Sequence, residues 1–237
     1  MPRRSKRYLK LKEKVDRTKL HKLDEAIKIL KELATAKFDE TVELSLRLNV
    51  DPRKPEQIVR GAVSLPHGTG KKVKVLVFAT GEKEKEAKEA GADYVGYTDL
   101  IEKIKKGWLD FDYVVSIPEC MPEVSKLGRI LGPRGLMPSP KTGTLTKEVG
   151  QMVKELKKGR VEFKTDKTGN LHIPVGKISF PESHILENIL AVMEEVLNLK
   201  PEGVRGVYIK SAYLSTTMSP SVKLDLNDIM NRLAERR

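Results

Sequence analysis

The sequence predicts an α+β domain split by an inserted, parallel α/β domain. Three observations carry this. Between residues 73 and 158, near-continuous apolar runs alternate with helical patterns, as in a parallel sheet covered on both faces. Before residue 67 there are one helical and two strand patterns, too few to fold alone. After Gly159 the alternation stops, and the strands and long amphipathic helix that follow supply the missing parts. Residues 1–66 and 160–237 therefore read as one discontinuous domain and 67–159 as the insertion, since exposed loops with neighbouring ends tolerate insertion.

The first helix is expected over 24–36, with Asp24 as N-cap and Leu23, Ala26, Ile27, Leu30, Leu33 and Ala34 on one face. A strand with period two follows. Val42, Leu44, Leu46 and Leu48 point one way; Thr41, Glu43, Ser45 and Arg47 point the other. Asp51-Pro52-Arg53-Lys54-Pro55 is a turn, and 58–65 a second strand ending at Pro66. His67-Gly68-Thr69-Gly70 breaks the chain and is a hinge candidate. In the insertion, strands are expected at 73–78, 94–95 and 113–117. Helices are expected at 82–90, 98–106 and 147–158, with a helical segment at 122–131 before a Gly/Pro-rich loop. Gly159 marks the second hinge. Arg160–Lys164 and Leu171–Val175 read as a hairpin around Asp166-Lys167-Thr168-Gly169. A helix over 182–198 carries the stripe Ile185, Ile189, Val192 and Val196. Strands at 206–214 and 221–226 and a short helix at 227–235 complete the chain.

Composition narrows the function. Among 237 residues, 45 Lys and Arg face 33 Asp and Glu, a net +12 that makes a polyanion the leading partner class. Residues 1–22 alone carry +8. Such an arm reads either as a solvated, disordered tail or as a phosphate-contacting arm that orders on RNA. No apolar run approaches the roughly 20 residues of a membrane span, and no apolar segment follows the basic start as in a secretory signal. A cytoplasmic protein with no membrane partner is expected. The single Cys120 excludes an internal disulfide or a Cys-pair metal site.

Catalytic constellations are hard to assemble. Gly68-Thr69-Gly70-Lys71-Lys72 resembles the tail of a P-loop, but it lacks the upstream Gly and the Ser or Thr after Lys, and it precedes a strand instead of following one. The glycine spacing of Gly128–Gly135 is wrong for a dinucleotide fingerprint. Arg129 and Arg134 in that stretch are either phosphate-clamping or simply solvated. His21, His67, His172 and His184 form no metal or triad pattern, and Glu119 beside Cys120 is no nucleophile–base pair. No catalytic residue, metal or cofactor is expected. A small α/β enzyme acting on a phosphorylated ligand and a non-specific basic nucleic-acid coater stay open as rival classes.

Three segments of the split domain share a chemistry. They are Lys37-Phe38-Asp39-Glu40-Thr41, Lys164 through Gly169, and Thr216-Thr217-Met218-Ser219-Pro220. Hydroxyls and backbone amides bond phosphate and 2′-OH groups, while Phe38 and Met218 offer apolar faces to ribose or base. The same residues also suit ordinary turns.

These segments carry a family resemblance. Ala36 through Glu43, Val50 through Lys54, Leu65 through Lys71, Ala90 through Asp93, Lys126 through Pro138, Asp166 through Gly169, and Thr216 through Met218 together resemble the bacterial L-one family of large-subunit ribosomal proteins. The stretch Lys-Leu-Gly-Arg-Ile-Leu-Gly-Pro-Arg-Gly-Leu-Met-Pro is the most specific. The resemblance implies a sandwich-like split domain that binds stalk ribosomal RNA and a Rossmann-like three-layer insertion that swings on a hinge at His67, Gly68, Gly70 and Gly159. It also implies movement of exit-site tRNA and repression of the protein's own operon through its messenger RNA, by a protein that is a monomer when free. The RNA-facing residues it implies are Phe38, Thr41, Lys164, Asp166, Thr168, Gly169, Thr217 and Met218; their neighbours Lys37, Asp39, Glu43, Lys167, Thr216 and Ser219 are candidates beside them, and the loop arginines Arg129 and Arg134 are a candidate second RNA contact. Where the family usually has Gly after Met, this chain has Ser219, which would be strained if positive φ were needed.

Overall fold

The computed structural model describes residues 5–16 and 18–236. Met1–Arg4 and Arg17 of the basic arm lie outside them. The chain divides into two compact units, one running to Gly70 and resuming at Val161, the other spanning Lys71–Arg160.

The first unit opens with α1 (Lys6–Glu13), whose N-cap Ser5 accepts from the Tyr8 N–H. Leu11 and, just beyond the helix, Val15 are buried in the core. This part of the arm is thus folded against its unit and is neither a disordered tail nor a segment awaiting RNA. The reason is the spacing of Arg7, Leu11 and Val15, which puts one stripe inward while Lys6, Lys10 and Lys14 stay exposed.

Helix α2 (Leu23–Leu33) buries Leu23, Ala26, Ile27, Leu30 and Leu33. Asp24 is not its cap. Asp24 sits inside the first turn and pairs with Arg232, while the Leu23 N–H is satisfied by Asp228 at 3.1 Å. The helix stops at Leu33, three residues earlier than expected, because Ala34 is extended and the Ala36 N–H is taken by Glu40. Strand β1 (Thr41–Leu48) follows, then β2 (Arg60–Ser64).

The second unit comprises β3 (Val75–Phe78), α3 (Glu82–Glu89), β4 (Tyr94–Gly96), α4 (Thr98–Lys105), β5 (Tyr113–Ser116), α5 (Met121–Val124), α6 (Gly128–Leu131) and α7 (Val149–Lys158). Its sheet is parallel, in the order β4-β3-β5, and every residue of the central strand is buried. The expected helix over 122–131 is broken into single turns. Pro122 and Gly128 weaken it, and Ser125 Oγ donates to the Met121 carbonyl at 2.8 Å.

The chain then forms β6 (Arg160–Lys164), β7 (Asn170–Lys177), α8 (Glu182–Asn198), β8 (Ile209–Thr216), β9 (Val222–Lys223) and α9 (Leu226–Glu235). The main sheet of the first unit is antiparallel, in the order β7-β1-β8-β9. The expected β6–β7 hairpin does not form. Strand β6 pairs with β2, and the Thr165 N–H goes to the Val59 carbonyl at 2.9 Å. Strand β7 instead runs along β1, from Arg47↔Asn170 to Thr41↔Lys177. The Asp166–Gly169 turn therefore hands the chain from one sheet to the other. Helices α2 and α8 lie against the apolar face of the main sheet, in a core that joins Leu44 and Leu46 to Ile189, Val192 and Leu214. No helix among the described residues is long and apolar enough to cross a membrane.

Candidate nucleic-acid interface

Alternation along β1 decides which face of the main sheet is open. Val42, Leu44, Leu46 and Leu48 are buried, while Thr41, Glu43, Ser45 and Arg47 line the other face. The neighbouring strands continue that face with Asn170, His172 and Pro174 on β7, and with Ser211, Tyr213 and Ser215 on β8. Ser45 sits between His172 and Tyr213 in register, and its Oγ is 3.1 Å from His172 Nδ1. That nitrogen is also 3.2 Å from Glu43 Oε1. The surface is rich in hydroxyls and carries few charges.

One end of this face is built around Glu40, which is only 1% exposed. Its Oε2 accepts from the Thr216 hydroxyl at 2.5 Å and from the Met218 N–H at 2.9 Å, and its Oε1 accepts from the Ala36 N–H at 3.1 Å. One buried carboxylate thus ties the segment before β1 to the β8–β9 loop. Thr217 Oγ1 accepts from the Thr41 N–H at 3.1 Å, and Lys177 Nζ donates to Thr41 Oγ1 at 2.8 Å. Asp39 accepts from the Ser179 hydroxyl at 2.8 Å. Phe38 and Met218 are left 53% and 46% exposed, two apolar side chains held out to solvent by a rigid base. Ser219 has no positive φ, so the strain considered for it does not arise. Its hydroxyl accepts from the Thr216 N–H at 3.1 Å and donates to the Pro220 carbonyl.

Helix α1 reaches this end as well. Arg7 donates to the Met218 carbonyl at 3.2 Å and to Thr35 Oγ1 at 2.9 Å. Ser5, Arg7, Tyr8, Thr217, Met218 and Ser219 line a shallow pocket of about 430 Å³.

The Asp166–Gly169 turn is at the opposite end of the sheet. Arg47, beside Asn170, lies six residues along β1 from Thr41, about 20 Å away. Here Asp166 organises the backbone. Its Oδ1 accepts from the N–H groups of Thr168 and Asn170, both at 2.8 Å, and from the Thr168 hydroxyl. Desolvation pushes the carboxyl up, but the hydrogen bonds from Asn170 and Thr168 outweigh it and hold its pKa at about 2. Gly169 has φ +81°, and a Cβ there would meet the Val50 carbonyl at 3.2 Å.

Of the sequence-predicted residues, Lys37, Phe38, Asp39, Thr41, Thr217, Met218 and Ser219 meet at one end, and Lys164, Asp166, Lys167, Thr168 and Gly169 gather at the other. Glu43 lies between. Thr216 does not face outward as expected. It is buried, and its hydroxyl is spent on Glu40. Gly169 is buried too and shapes its turn. Lys37, Arg47, Lys164 and Lys167 have no ion-pair partner among the described residues. Arg129 and Arg134 are exposed in the second unit and likewise unpaired there. Sequence reasoning passed over Glu40, Ser45, Arg47, His172, Ser211, Tyr213 and Ser215. The period-two pattern of β1 already pointed Ser45 and Arg47 outward; the strand partners that extend the face were not readable without register.

The hinge candidates divide between the units. The His67 N–H donates to Asn188 Oδ1 at 3.1 Å, and the Asn188 amide donates to the Gly68 carbonyl at 3.0 Å. The His67 ring stacks on His184 at 3.8 Å and lies 2.7 Å from Glu187. Gly68 and Gly70 have φ of 68° and 72°, and Gly159, which ends α7, has 111°.

Residues 30–220 match the model of the ribosomal protein L1p/L10e family. Over 98% of both chains, the sequence is 58% identical to the large ribosomal subunit protein uL1 of Persephonella marina. It is 60% identical to that of Thermosipho africanus over 95% of this chain and 97% of the relative. To that of Thermus thermophilus it is 56% identical over 95% of this chain and 99% of the relative. The chain belongs to the ribosomal protein L1p/L10e family.

Proposed function

We propose that this chain is a non-enzymatic, ribosome-bound protein of the large subunit, which uses the open face of its main sheet to bind a shaped stalk segment of ribosomal RNA. The large-subunit assignment follows the relatives. One structural observation carries the RNA assignment: Glu40 anchors a loop that presents Thr217 and the exposed Met218 at the edge of a hydroxyl-lined face, and ties it to the segment that carries the exposed Phe38. Apolar faces for ribose or base and hydroxyls for phosphate or 2′-OH suit a folded RNA more than a uniform duplex. The exposed Lys37, Arg47, Lys164 and Lys167, which have no ion-pair partner among the described residues, supply phosphate contacts along both ends. By family resemblance, the same surface recognises a messenger site that mimics the ribosomal one. Exit-site tRNA is a further partner, and the glycines at the two chain crossings serve as a hinge.

The test is binding to a stalk RNA fragment and to a random duplex of equal length, across a salt series. A preference of about 10³-fold that persists at high salt is expected. Similar affinities that collapse together with salt would reduce the protein to a basic coater.

A further inference from the structure

We infer that the second unit carries a pocket for an unpaired nucleotide of an RNA strand, with Trp108 and Tyr94 as the base-stacking surface and Lys103 and Lys106 as phosphate contacts. The pocket has a volume of about 410 Å³ and is lined by Tyr94, Leu100, Lys103, Lys106 and Trp108. That falls within the range of about 300–1,000 Å³ typical of small-ligand sites.

The sequence builds it through a helix ending. Helix α4 closes with Gly107 at φ +96°, where the Gly107 N–H returns to the Ile104 carbonyl at 2.9 Å and the Trp108 N–H to the Lys103 carbonyl at 3.1 Å. This paired closure folds the chain back and fixes Trp108 over the last turn. The indole then packs perpendicular to Tyr94, ring centroids 4.7 Å apart, and against Phe111 at 5.5 Å. Tyr94 lies on β4, an edge strand of the sheet. The aromatic pair is therefore rigid before any ligand arrives.

Charge decides the ligand class. Every charged residue lining the pocket is a lysine. The carboxylates nearest the aromatic pair in sequence are engaged elsewhere: Asp93 accepts from the Val75 N–H and pairs with Lys157 at 3.2 Å, and Asp110 pairs with Lys74 at 2.6 Å. A planar uncharged ring bearing an anion at its edge matches an apolar aromatic corner flanked by two exposed lysines, and a nucleotide is that combination. A base-paired duplex hides its ring faces, so the strand must be single.

Trp108 is the sole tryptophan of the chain, so its fluorescence reports on this pocket and no other. The full-length protein is titrated with single-stranded hexaadenylate, a duplex RNA of equal length, inorganic hexaphosphate and AMP. Saturable quenching by hexaadenylate is expected, with AMP far weaker and no comparable quenching by the duplex or hexaphosphate. The double variant Lys103→Ser/Lys106→Ser alters exposed side chains and should weaken the quenching midpoint roughly tenfold, for two lost phosphate contacts. Circular dichroism checks that this variant is folded. Absent quenching, equal quenching by duplex or hexaphosphate, or an unshifted variant would each overturn the inference. AMP binding as tightly as the hexamer would make this a small-molecule site and overturn the RNA assignment.

Discussion

The hydroxyl of Thr216, at the end of β8, donates to the buried carboxylate of Glu40, just before β1, at 2.5 Å. The same carboxylate holds the Met218 and Ala36 N–H groups, so all three contacts are donors meeting an acceptor. Glu40→Gln puts an amide NH₂ where one of them now finds an oxygen. A buried donor facing a donor should cost about 1–3 kcal/mol in urea unfolding. The loop carrying Thr217 and Met218 should loosen with it. Stalk RNA affinity should therefore fall even though Glu40 is too buried to touch RNA. Unchanged stability together with unchanged affinity would remove Glu40 from this account.

Thr217 works differently. Its Oγ1 accepts from the Thr41 N–H, so its own hydroxyl proton remains available to a partner from outside. Thr217→Val keeps the shape and removes both functions. We expect a loss of about 1–3 kcal/mol in binding to stalk RNA, the cost of a polar partner left unmatched, and little change with random duplex. Equal losses on both RNAs would show that Thr217 does not read shape.

The legible part of this molecule was whatever rests on periodicity. Strand β1 alternates without a break, so its buried and open faces could be read directly, and the long stripe of α8 was equally plain. Whatever depends on pairing between distant segments was hidden. Arg160–Lys164 and the strand after it are adjacent in sequence and looked like a hairpin, yet β2 and β1 claim them separately. Asp24 looked like a cap because a local rule favours Asp there, while the Leu23 N–H finds its acceptor in Asp228, 205 residues along the chain from Leu23. Thr216 shares its chemistry with Thr217, and only strand parity sends one inward and the other out. Ser219 looked like a strained replacement for Gly, and the backbone proved to need no positive φ there.

Asp166 sets a pH limit on its turn. Its folded pKa is depressed, from an ordinary 3.8 to about 2. A depressed carboxylate contributes stability that is fully present above the unfolded pKa and is lost as pH falls through the folded one. The turn should thus be fully formed at neutral pH and loosen only between about 3.8 and about 2. Carbon-detected NMR of the Asp166 carboxyl should give a midpoint near 2, with the amide signals of Thr168 and Asn170 moving in step. A midpoint at the ordinary value would mean that these hydrogen bonds are not made in solution.

The basic arm calls for a gentler test than removal. Leu11 and Val15 are buried, so deleting residues 1–20 would open the core and confuse lost charge with lost folding. Lys6, Lys10 and Lys14 are exposed and lie at helical spacing beside the inward stripe. The triple variant Lys6→Ser/Lys10→Ser/Lys14→Ser should leave unfolding nearly unchanged. Each phosphate contact contributes roughly 0.7–0.9 to the slope of log affinity against log salt, so the slope should shrink by up to about 2–3. Specificity for stalk RNA over duplex should hold, because Arg7 still fastens α1 to the Met218 carbonyl and the loop carrying Thr217 and Met218 is untouched. If the slope stays constant, the arm's charge lies away from the RNA, and the exposed lysines and arginine of the folded face carry the whole electrostatic share.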